Sequence, residues 1–211
     1  MWVVKLGGSL DRDPLLAQWL ALLAQLGGGR VTVVCGGGRF ADEVRQAQAH
    51  WQVNDLSAHN MAVLAMAQTA YLAHGLQPAL RLATRATDIL RVLHSGHAAL
   101  WLPLDQTRPA ATPHTDWDHS ADSMALDLAI ALNAERLVVV KSCAIEPGSS
   151  LGQLGEAGVL DNAFASRARR AVFPIDVVHK ADLAAMRSLL IGDGRAGGHG
   201  AGSSPGGAAV A

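Results

Sequence analysis

The chain opens with two short runs of apolar, largely β-branched residues, and glycines follow each run at once. The runs occupy residues 2–6 and 31–35, and the glycine clusters occupy residues 7–8 and 36–38. Apolar residues at helical spacing follow each cluster. We therefore predict two successive units of strand, glycine turn and helix. Because near-continuous apolar strands need burial on both faces, the units indicate a parallel sheet covered by helices on both sides.

The alternation of strand and helix continues along the chain. Helices are predicted from Pro14 to Leu26, with Asp13 as the N-cap, and over residues 40–51, 57–74, 87–94, 120–133, 162–171 and 181–190. Further strands are predicted over residues 78–82, 98–104, 136–140 and 175–179. Residues 144–160 show little periodicity and predict a long loop, either over a ligand or disordered. The glycine-, alanine- and serine-rich residues 192–211 predict a disordered tail after a single domain over residues 1–191.

Composition narrows the class of protein. The 211 residues are 50% hydrophobic and carry a formal charge of −1, so no overall field favours nucleic acid or an anionic membrane as a partner. No apolar stretch approaches the roughly 20 residues of a membrane span, and we expect a cytoplasmic protein. Cys35 and Cys143 are expected to be reduced thiols. A small-molecule acidic ligand remains open.

The two glycine clusters and one lysine indicate a phosphate site. Lys5 precedes Gly7, Gly8 and Ser9, while the second cluster, residues 36–38, begins the next helix. Backbone N–H groups without side chains suit phosphate oxygens, because glycine permits a close approach and the helix dipole favours negative charge. Glycines that merely form tight turns are the simpler alternative. Neither cluster has the spacing of a dinucleotide fingerprint or of a Walker loop.

Four segments carry a family resemblance. They are the opening VVKLGGS, the strand VTVVCGGG with FADEV after it, the segment WDHSADSMA over residues 117–125, and the strand LVVVKS. Together, over about residues 1–145, they resemble the amino acid kinase superfamily, which includes carbamate, acetylglutamate, aspartate and uridylate kinases. The stretch AHNMAVLAMAQ, the short length and the KS after the late strand are similar to the branch that phosphorylates aminomethylfuranyl-methyl phosphate in methanofuran-type cofactor biosynthesis.

The resemblance implies a three-layer αβα sandwich with a mainly parallel sheet, in which ATP, with Mg²⁺, and an acidic acceptor lie end to end. The acceptor part is expected over about residues 1–115 and the nucleotide part over about residues 116–191. Lys5 and Asp122 correspond to the catalytic pair. The nucleotide phosphates are expected at Gly7, Gly8, Ser9, Lys141 and Ser142. The acceptor and its phosphate are expected at Gly36, Gly37, Gly38, His59, Asp118 and His119.

Two positions depart from the family pattern. Asp118 replaces an asparagine that many members carry four residues before the aspartate, and no lysine lies between Gly148 and Leu160, where members carry a second one. Lys141 is the nearest substitute, although it could merely end a strand in water. The missing lysine leaves open a non-catalytic protein of the same fold that stores a nucleotide or an oxyanion.

The remaining candidate residues do not indicate a further ligand site. The histidine pairs His94 with His97 and His114 with His119 lack the spacing of a structural zinc site, and we predict no metal bound by the protein itself. Apolar residues at helical spacing over residues 61–71 indicate core or subunit packing, and they predict a homo-oligomer.

Overall fold

The computed structural model describes residues 1–111 and 120–192. Within these residues six strands form one sheet, and every pair of neighbouring strands is parallel. In sheet order they are β3 (Arg81–Ala83), β4 (Ala99–Trp101), β2 (Val31–Cys35), β1 (Trp2–Leu6), β5 (Arg136–Lys141) and β6 (Ile175–His179). The predicted parallel sheet is confirmed, and it places β1, the strand of Lys5, at its centre between β2 and β5.

Helices cover both faces of this sheet. Along the chain they are α1 (Leu15–Leu26), α2 (Gly38–Trp51), α3 (Asp55–Leu76), α4 (Ala86–His94), α5 (Ala121–Ala131), α6 (Leu151–Glu156), α7 (Asn162–Ala168) and α8 (Leu183–Ile191). One apolar cluster joins Val4 and Leu6 to α1 and α8. A second joins Val3 and Val139 to α4, α5 and α7. The two clusters lie on opposite faces because alternate residues of a strand point to opposite sides. The predicted three-layer αβα sandwich is confirmed.

The predicted long loop over residues 144–160 is wrong, because it contains α6. Ser150 caps this helix: its hydroxyl accepts from the Gln153 N–H at 3.3 Å, and Gln153 Oε1 accepts from the Ser150 N–H at 2.9 Å. Leu154 and Leu160 are buried against α5 and α7. The capping box and these two leucines order a segment too short to display a helical period.

Smaller differences concern element ends. The first glycine turn continues into a 3₁₀ helix, Gly8–Arg12. Helix α1 begins at Leu15 with Pro14, not the predicted Asp13, as its N-cap, and Asp13 Oδ1 accepts from the Leu15 N–H at 2.9 Å. Helix α2 begins at Gly38 instead of residue 40, and β3 and β4 are shorter than predicted. Gly192 ends α8 in the left-handed conformation, and residues 193–211 of the predicted tail lie outside the described residues.

Helix α3 divides its apolar residues between core and surface. Met66 is buried, whereas Met61, Leu64 and Tyr71 are at least one-third exposed.

Of the two cysteines, which form no disulfide, Cys35 is buried and Cys143 is exposed. No helix in residues 1–111 or 120–192 is both long and apolar enough to cross a membrane.

Candidate active site

Two lysines lie on the same face of the sheet, at the carboxyl ends of adjacent central strands. In the β1–β5 register Lys5 is paired with Val139, so Lys141 lies two residues further along β5. Side chains two residues apart share a face, and Lys5 and Lys141 therefore both face the layer that contains α5. The first turn of α5 supplies Asp122 to the same place.

Asp122 forms ion pairs with both lysines. Lys5 Nζ lies 2.5 Å from Asp122 Oδ1, and Lys141 Nζ donates to Asp122 Oδ2 at 2.5 Å. The side chains of Asp122 and Lys5 are 4% and 5% exposed, and that of Lys141 is 15% exposed. Two cations thus share one carboxylate in a largely buried place. Because one positive charge remains uncompensated within the trio, the array favours a further anion.

The ionisation of the trio follows from this arrangement. Burial would raise the pKa of Asp122, but the charges of Lys5 and Lys141 and their hydrogen bonds outweigh it and hold that pKa below the ordinary 3.8. Burial and the positive charge of Lys5 lower the pKa of Lys141, and Asp122 opposes both. The nearby thiol of Cys35 is no candidate nucleophile, since burial raises its pKa to about 12, despite the charge of Lys5.

The two glycine turns touch each other through their backbones. A Cβ built on Gly8 would lie 2.7 Å from the nitrogen of Gly38, and one built on Gly36 would lie 2.7 Å from the nitrogen of Gly8. Such distances exclude any side chain without a movement of backbone. Gly38 also has φ +54°, and its Cβ would meet the Asp11 carboxylate at 2.7 Å. The glycines are therefore needed for the approach of the two loops, beyond forming the turns themselves.

The contact between the turns leaves four backbone donors available. The N–H of Gly7 donates to Val140 O and that of Gly36 to Leu6 O, both at 3.0 Å, so these two glycines extend the sheet. For the N–H groups of Gly8, Ser9, Gly37 and Gly38, the described part of the chain holds no acceptor. In each glycine cluster the free N–H groups therefore begin at the second glycine, Gly8 in the first cluster and Gly37 in the second.

A second ion pair fastens the two turns together. Asp11 Oδ2 accepts from the backbone N–H of Arg39 at 2.8 Å and from its Nε at 2.9 Å, and Arg39 Nη2 donates to Asp11 O at 2.9 Å. The Asp11 side chain is only 2% exposed. The sequence does not predict this pair, since nothing local distinguishes Asp11 and Arg39 from surface charges.

A cavity of about 370 Å³ brings most of the predicted site residues together. Its lining includes Lys5, Gly8, Ser9, Gly36, Gly37, Gly38, His59, Asp122 and Lys141. Gly7 and Ser142 do not line it. Ser142 is nevertheless attached to the first turn, because Ser9 Oγ donates to Ser142 Oγ at 2.9 Å. Predicted residues Asp118 and His119 lie outside the described residues.

The cavity lining also carries charges of both signs outside the lysines and the glycine turns, and we call this part of the lining, namely Arg12, Asp42, Arg45, Asp55 and His59, the far end. His59 is buried on α3, with Nε2 3.4 Å from Gln106 O. Exposed side chains at this end include Arg12, Asp42, Arg45 and Asp55. Arg45 is paired with Asp42 at 3.0 Å. This end can therefore meet a polar ligand with positive as well as negative groups.

The residues suit the phosphates of ATP better than a bare metal ion. The free backbone donors and the two lysines match phosphate oxygens. Within residues 1–111 and 120–192, no three histidine, cysteine or carboxylate side chains are grouped so as to hold a metal. Asp122 is already paired with two ammonium groups. Mg²⁺ commonly reaches such sites through substrate phosphates, and the described side chains provide no separate cage for it.

These features define an α/β protein with a candidate anion site at the carboxyl edge of its parallel sheet, where open sheets of this class bind ligands. The family model described as "Amino acid kinase family" matches residues 1–144. The chain therefore belongs to the amino acid kinase family. A comparison with curated proteins finds no match.

Solved structures of kinases share the fold. The UMP kinase of Bacillus anthracis is 16% identical with a TM-score of 0.67, and the match covers 90% of this chain and 91% of that one. The uridylate kinase of Archaeoglobus fulgidus is 16% identical with a TM-score of 0.66, covering 90% and 95%. An isopentenyl phosphate kinase is 13% identical with a TM-score of 0.58, covering 91% and 96%. At these identities the likeness concerns the fold.

Proposed function

We propose that the protein is a kinase that transfers the γ-phosphoryl group of ATP to an oxygen of a phosphate or carboxylate acceptor. The observation that carries the proposal is the convergence of Lys5, Lys141 and two bare glycine turns on one cavity. Phosphoryl transfer depends mainly on positioning and on neutralising charge at the transferred group. Lys5, Lys141 and the glycine turns would meet both requirements.

In the proposed reaction, an acceptor oxygen attacks the γ-phosphorus, the bond from that phosphorus to the β–γ bridging oxygen breaks, and ADP leaves. An ionised phosphate or carboxylate oxygen has no proton to lose, so no general base is needed.

Lys5 and Lys141 offset the charge on the phosphoryl oxygens, while Asp122 orients both ammonium groups. The backbone N–H groups of Gly8 and Ser9 hold the nucleotide phosphates, with Ser142 beside them. Those of Gly37 and Gly38 lie between the phosphates and the acceptor. When bound, Mg²⁺ would add charge neutralisation on the nucleotide phosphates.

For the acceptor, we propose aminomethylfuranyl-methyl phosphate or a close analogue. The sequence resemblance to that branch motivates the choice. Support comes from the far end of the cavity, where carboxylates and cations both occur: Asp42 and Asp55 suit an ammonium group, and Arg12 and His59 suit a phosphate. Asp118 and His119 are also proposed to bind the acceptor and its phosphate.

We further propose that residues 1–191 form one domain, with the acceptor part before about residue 115 and the nucleotide part after it.

The protein is also proposed to be a homo-oligomer whose interface covers Met61, Leu64 and Tyr71 of α3, because a row of exposed apolar side chains is costly in water. Sedimentation equilibrium tests the assembly, and a Leu64→Glu variant should lower the mass if α3 forms the interface.

The proposal is tested by measuring ATP consumption with a panel of phosphate and carboxylate acceptors. The product should be an anhydride, distinguishable by ³¹P NMR from an ordinary phosphate ester. Lys5→Ala should lower kcat by about 10²–10³-fold, the usual cost of removing one group that stabilises transition-state charge. Lys180→Ala is the matched control, since Lys180 is also paired with an aspartate, Asp13, at 2.5 Å but does not line the cavity.

An alternative function is storage of a nucleotide or oxyanion without turnover. The absence of lysine between Gly148 and Leu160 favours it. Tight nucleotide binding without ATP consumption in the presence of any acceptor of the panel would support storage and contradict the kinase function.

Unchanged kcat in a folded Lys5→Ala variant would contradict the role given to that lysine in the kinase reaction.

A further inference from the structure

Four donors converge on the carboxylate of Asp161, a residue outside the cavity. Oδ2 accepts from Ser120 Oγ at 2.7 Å and from the Ser123 N–H at 3.0 Å. Oδ1 accepts from Ser123 Oγ at 2.6 Å and from the Phe164 N–H at 2.8 Å. Only the last of these contacts serves α7. The other three lead to the beginning of α5, to the two serines that bracket Asp122.

The contacts of Asp161 reach Asp122 through the backbone of α5. Ser120 Oγ, which donates to Asp161, also accepts from the Asp122 N–H at 3.3 Å. Ser123, one residue later, is fully buried and is bound to Asp161 through both its N–H and its hydroxyl. Movement of this turn would displace the Asp122 carboxylate from the two lysines, each 2.5 Å away.

We propose that Asp161 is a positioning residue, which fixes the first turn of α5 so that Asp122 stays between Lys5 and Lys141. Its effect on turnover rests on the proposed kinase function, whereas its effect on the lysines does not. The simpler alternative is that Asp161 only caps α7. That alternative explains the contact with Phe164 and leaves the three contacts with α5 without a role.

Asp161→Asn separates these two interpretations. Each oxygen of Asp161 receives one hydroxyl and one backbone N–H, and a hydroxyl can reverse its role whereas a backbone N–H cannot. The NH₂ group of asparagine therefore faces one backbone donor, either the Ser123 N–H of α5 or the Phe164 N–H of α7, and the amide chemical shifts of these two residues show which contact is lost. Ser150→Ala is the matched control, because it removes the cap of a neighbouring helix, α6, without touching α5. Both variants weaken a helix cap and should lower the thermal midpoint of unfolding.

The decisive readout is the ionisation of Lys141, followed by NMR at its Cε and Nζ. The titratable groups facing it are Lys5 on β1, Asp122 on α5 and Cys143 beyond the end of its own strand. On β6, its register partner His179 contacts Ser142 O at 3.3 Å. Displacing Asp122 removes the only fixed negative side chain among these groups. We expect a lower pKa for Lys141 in Asp161→Asn and no change in Ser150→Ala.

Turnover provides the second readout. In Asp161→Asn, kcat should fall about tenfold or more, since displacements of catalytic groups by about 1 Å can cost up to 10²-fold. The KM for ATP should change little, because the backbone donors of the glycine turns are untouched. An unchanged Lys141 pKa and an unchanged kcat in a folded Asp161→Asn variant that has lost the Ser123 N–H contact would overturn the proposal and leave Asp161 as a cap.

Two further outcomes are also decisive. If Asp161→Asn does not fold, or if it loses only the Phe164 N–H contact, Ser123→Ala replaces it, because it removes one contact with Asp161 and keeps the cap of α7. A lowered Lys141 pKa then supports the proposal and an unchanged one overturns it. If the wild-type protein transfers no phosphoryl group, the kinase assignment fails. The NMR result on Lys141 then still decides the role of Asp161.

Discussion

The two ends of the chain contribute to the site by different physical means. Residues 1–51 supply it mostly through backbone: two glycine turns in direct contact, with free N–H groups and one lysine. Residues 120–192 supply it through side chains, namely Asp122, Lys141 and the hydrogen bonds of Asp161. The first region depends on the absence of Cβ atoms, and the second on the balance of buried charge.

This difference determines what each region tolerates. In the glycine turns even one methyl group has no space, whereas pH leaves the backbone donors unchanged. In the charged region the shapes of side chains can be conserved while their charges are altered, and pH acts directly. Substitutions that add volume should therefore damage the first region, and substitutions or conditions that remove charge should damage the second.

The largest effect is expected when the buried charges lose their partner. Asp122→Ala leaves Lys5 and Lys141 facing each other without a counter-charge, which should cost about 3–5 kcal/mol of unfolding free energy. Asp176→Ala is the control, because its pair with Arg136 is about one-quarter exposed and should contribute at most about 1 kcal/mol. Urea denaturation measures both. Equal losses of unfolding free energy in the two variants would contradict the claim that burial makes the ion pairs of Asp122 contribute more than an exposed pair.

Acid should remove the contribution of Asp122 without any mutation. Its pKa is lower in the folded protein than the ordinary 3.8, so its stabilisation is complete above pH 3.8 and is lost as pH falls below that value. The difference in unfolding free energy between wild type and Asp122→Asn should therefore narrow in strong acid. A difference that stays constant from neutral pH into this range would contradict the lowered pKa.

The glycine turns should be broken by a single methyl group. Gly8→Ala places a Cβ against the backbone of Gly38, so the turns must separate, at a cost of about 1–3 kcal/mol together with weaker nucleotide binding. Gly75→Ala is the matched control. Gly75 lies in α3 with nothing within 4 Å of a built Cβ, and the substitution should stabilise by roughly 0.5–1 kcal/mol. Similar thermal midpoints for the two variants would exclude the tight contact between turns.

The smallest expected effect concerns two buried threonines. Thr32 Oγ1 is fully buried and has no hydrogen-bond partner in the part of the chain that the structure describes. Thr32→Val should therefore stabilise by about 1 kcal/mol. Thr69 Oγ1 donates to Gly37 O at 3.1 Å, so Thr69→Val should destabilise by a similar amount. Calorimetry should show melting shifts of opposite sign, and shifts of the same sign would contradict this assignment.

The sequence predicted the parts of the site that local pattern encodes. Lys5 and both glycine clusters follow recognisable strands, and the register of parallel strands brings them to one edge. The sequence also indicates Lys141, as the nearest substitute for the lysine that is missing between Gly148 and Leu160. The contacts of Asp161 with α5 and of Asp11 with Arg39 join residues 28 to 41 positions apart, and no local period reveals them. Helix α6 escaped prediction because six residues are too few to show periodicity.

The central claim is that Lys5, Lys141 and both glycine turns meet one polyphosphate. An NMR titration of the full chain with ATP and Mg²⁺ tests it by following the amides of Gly8, Ser9, Gly37 and Gly38 together with both lysine Nζ groups. We predict that the amides of both turns and the two lysines shift together with one dissociation constant. Shifts confined to a single turn, or absent from the lysines, would contradict the account.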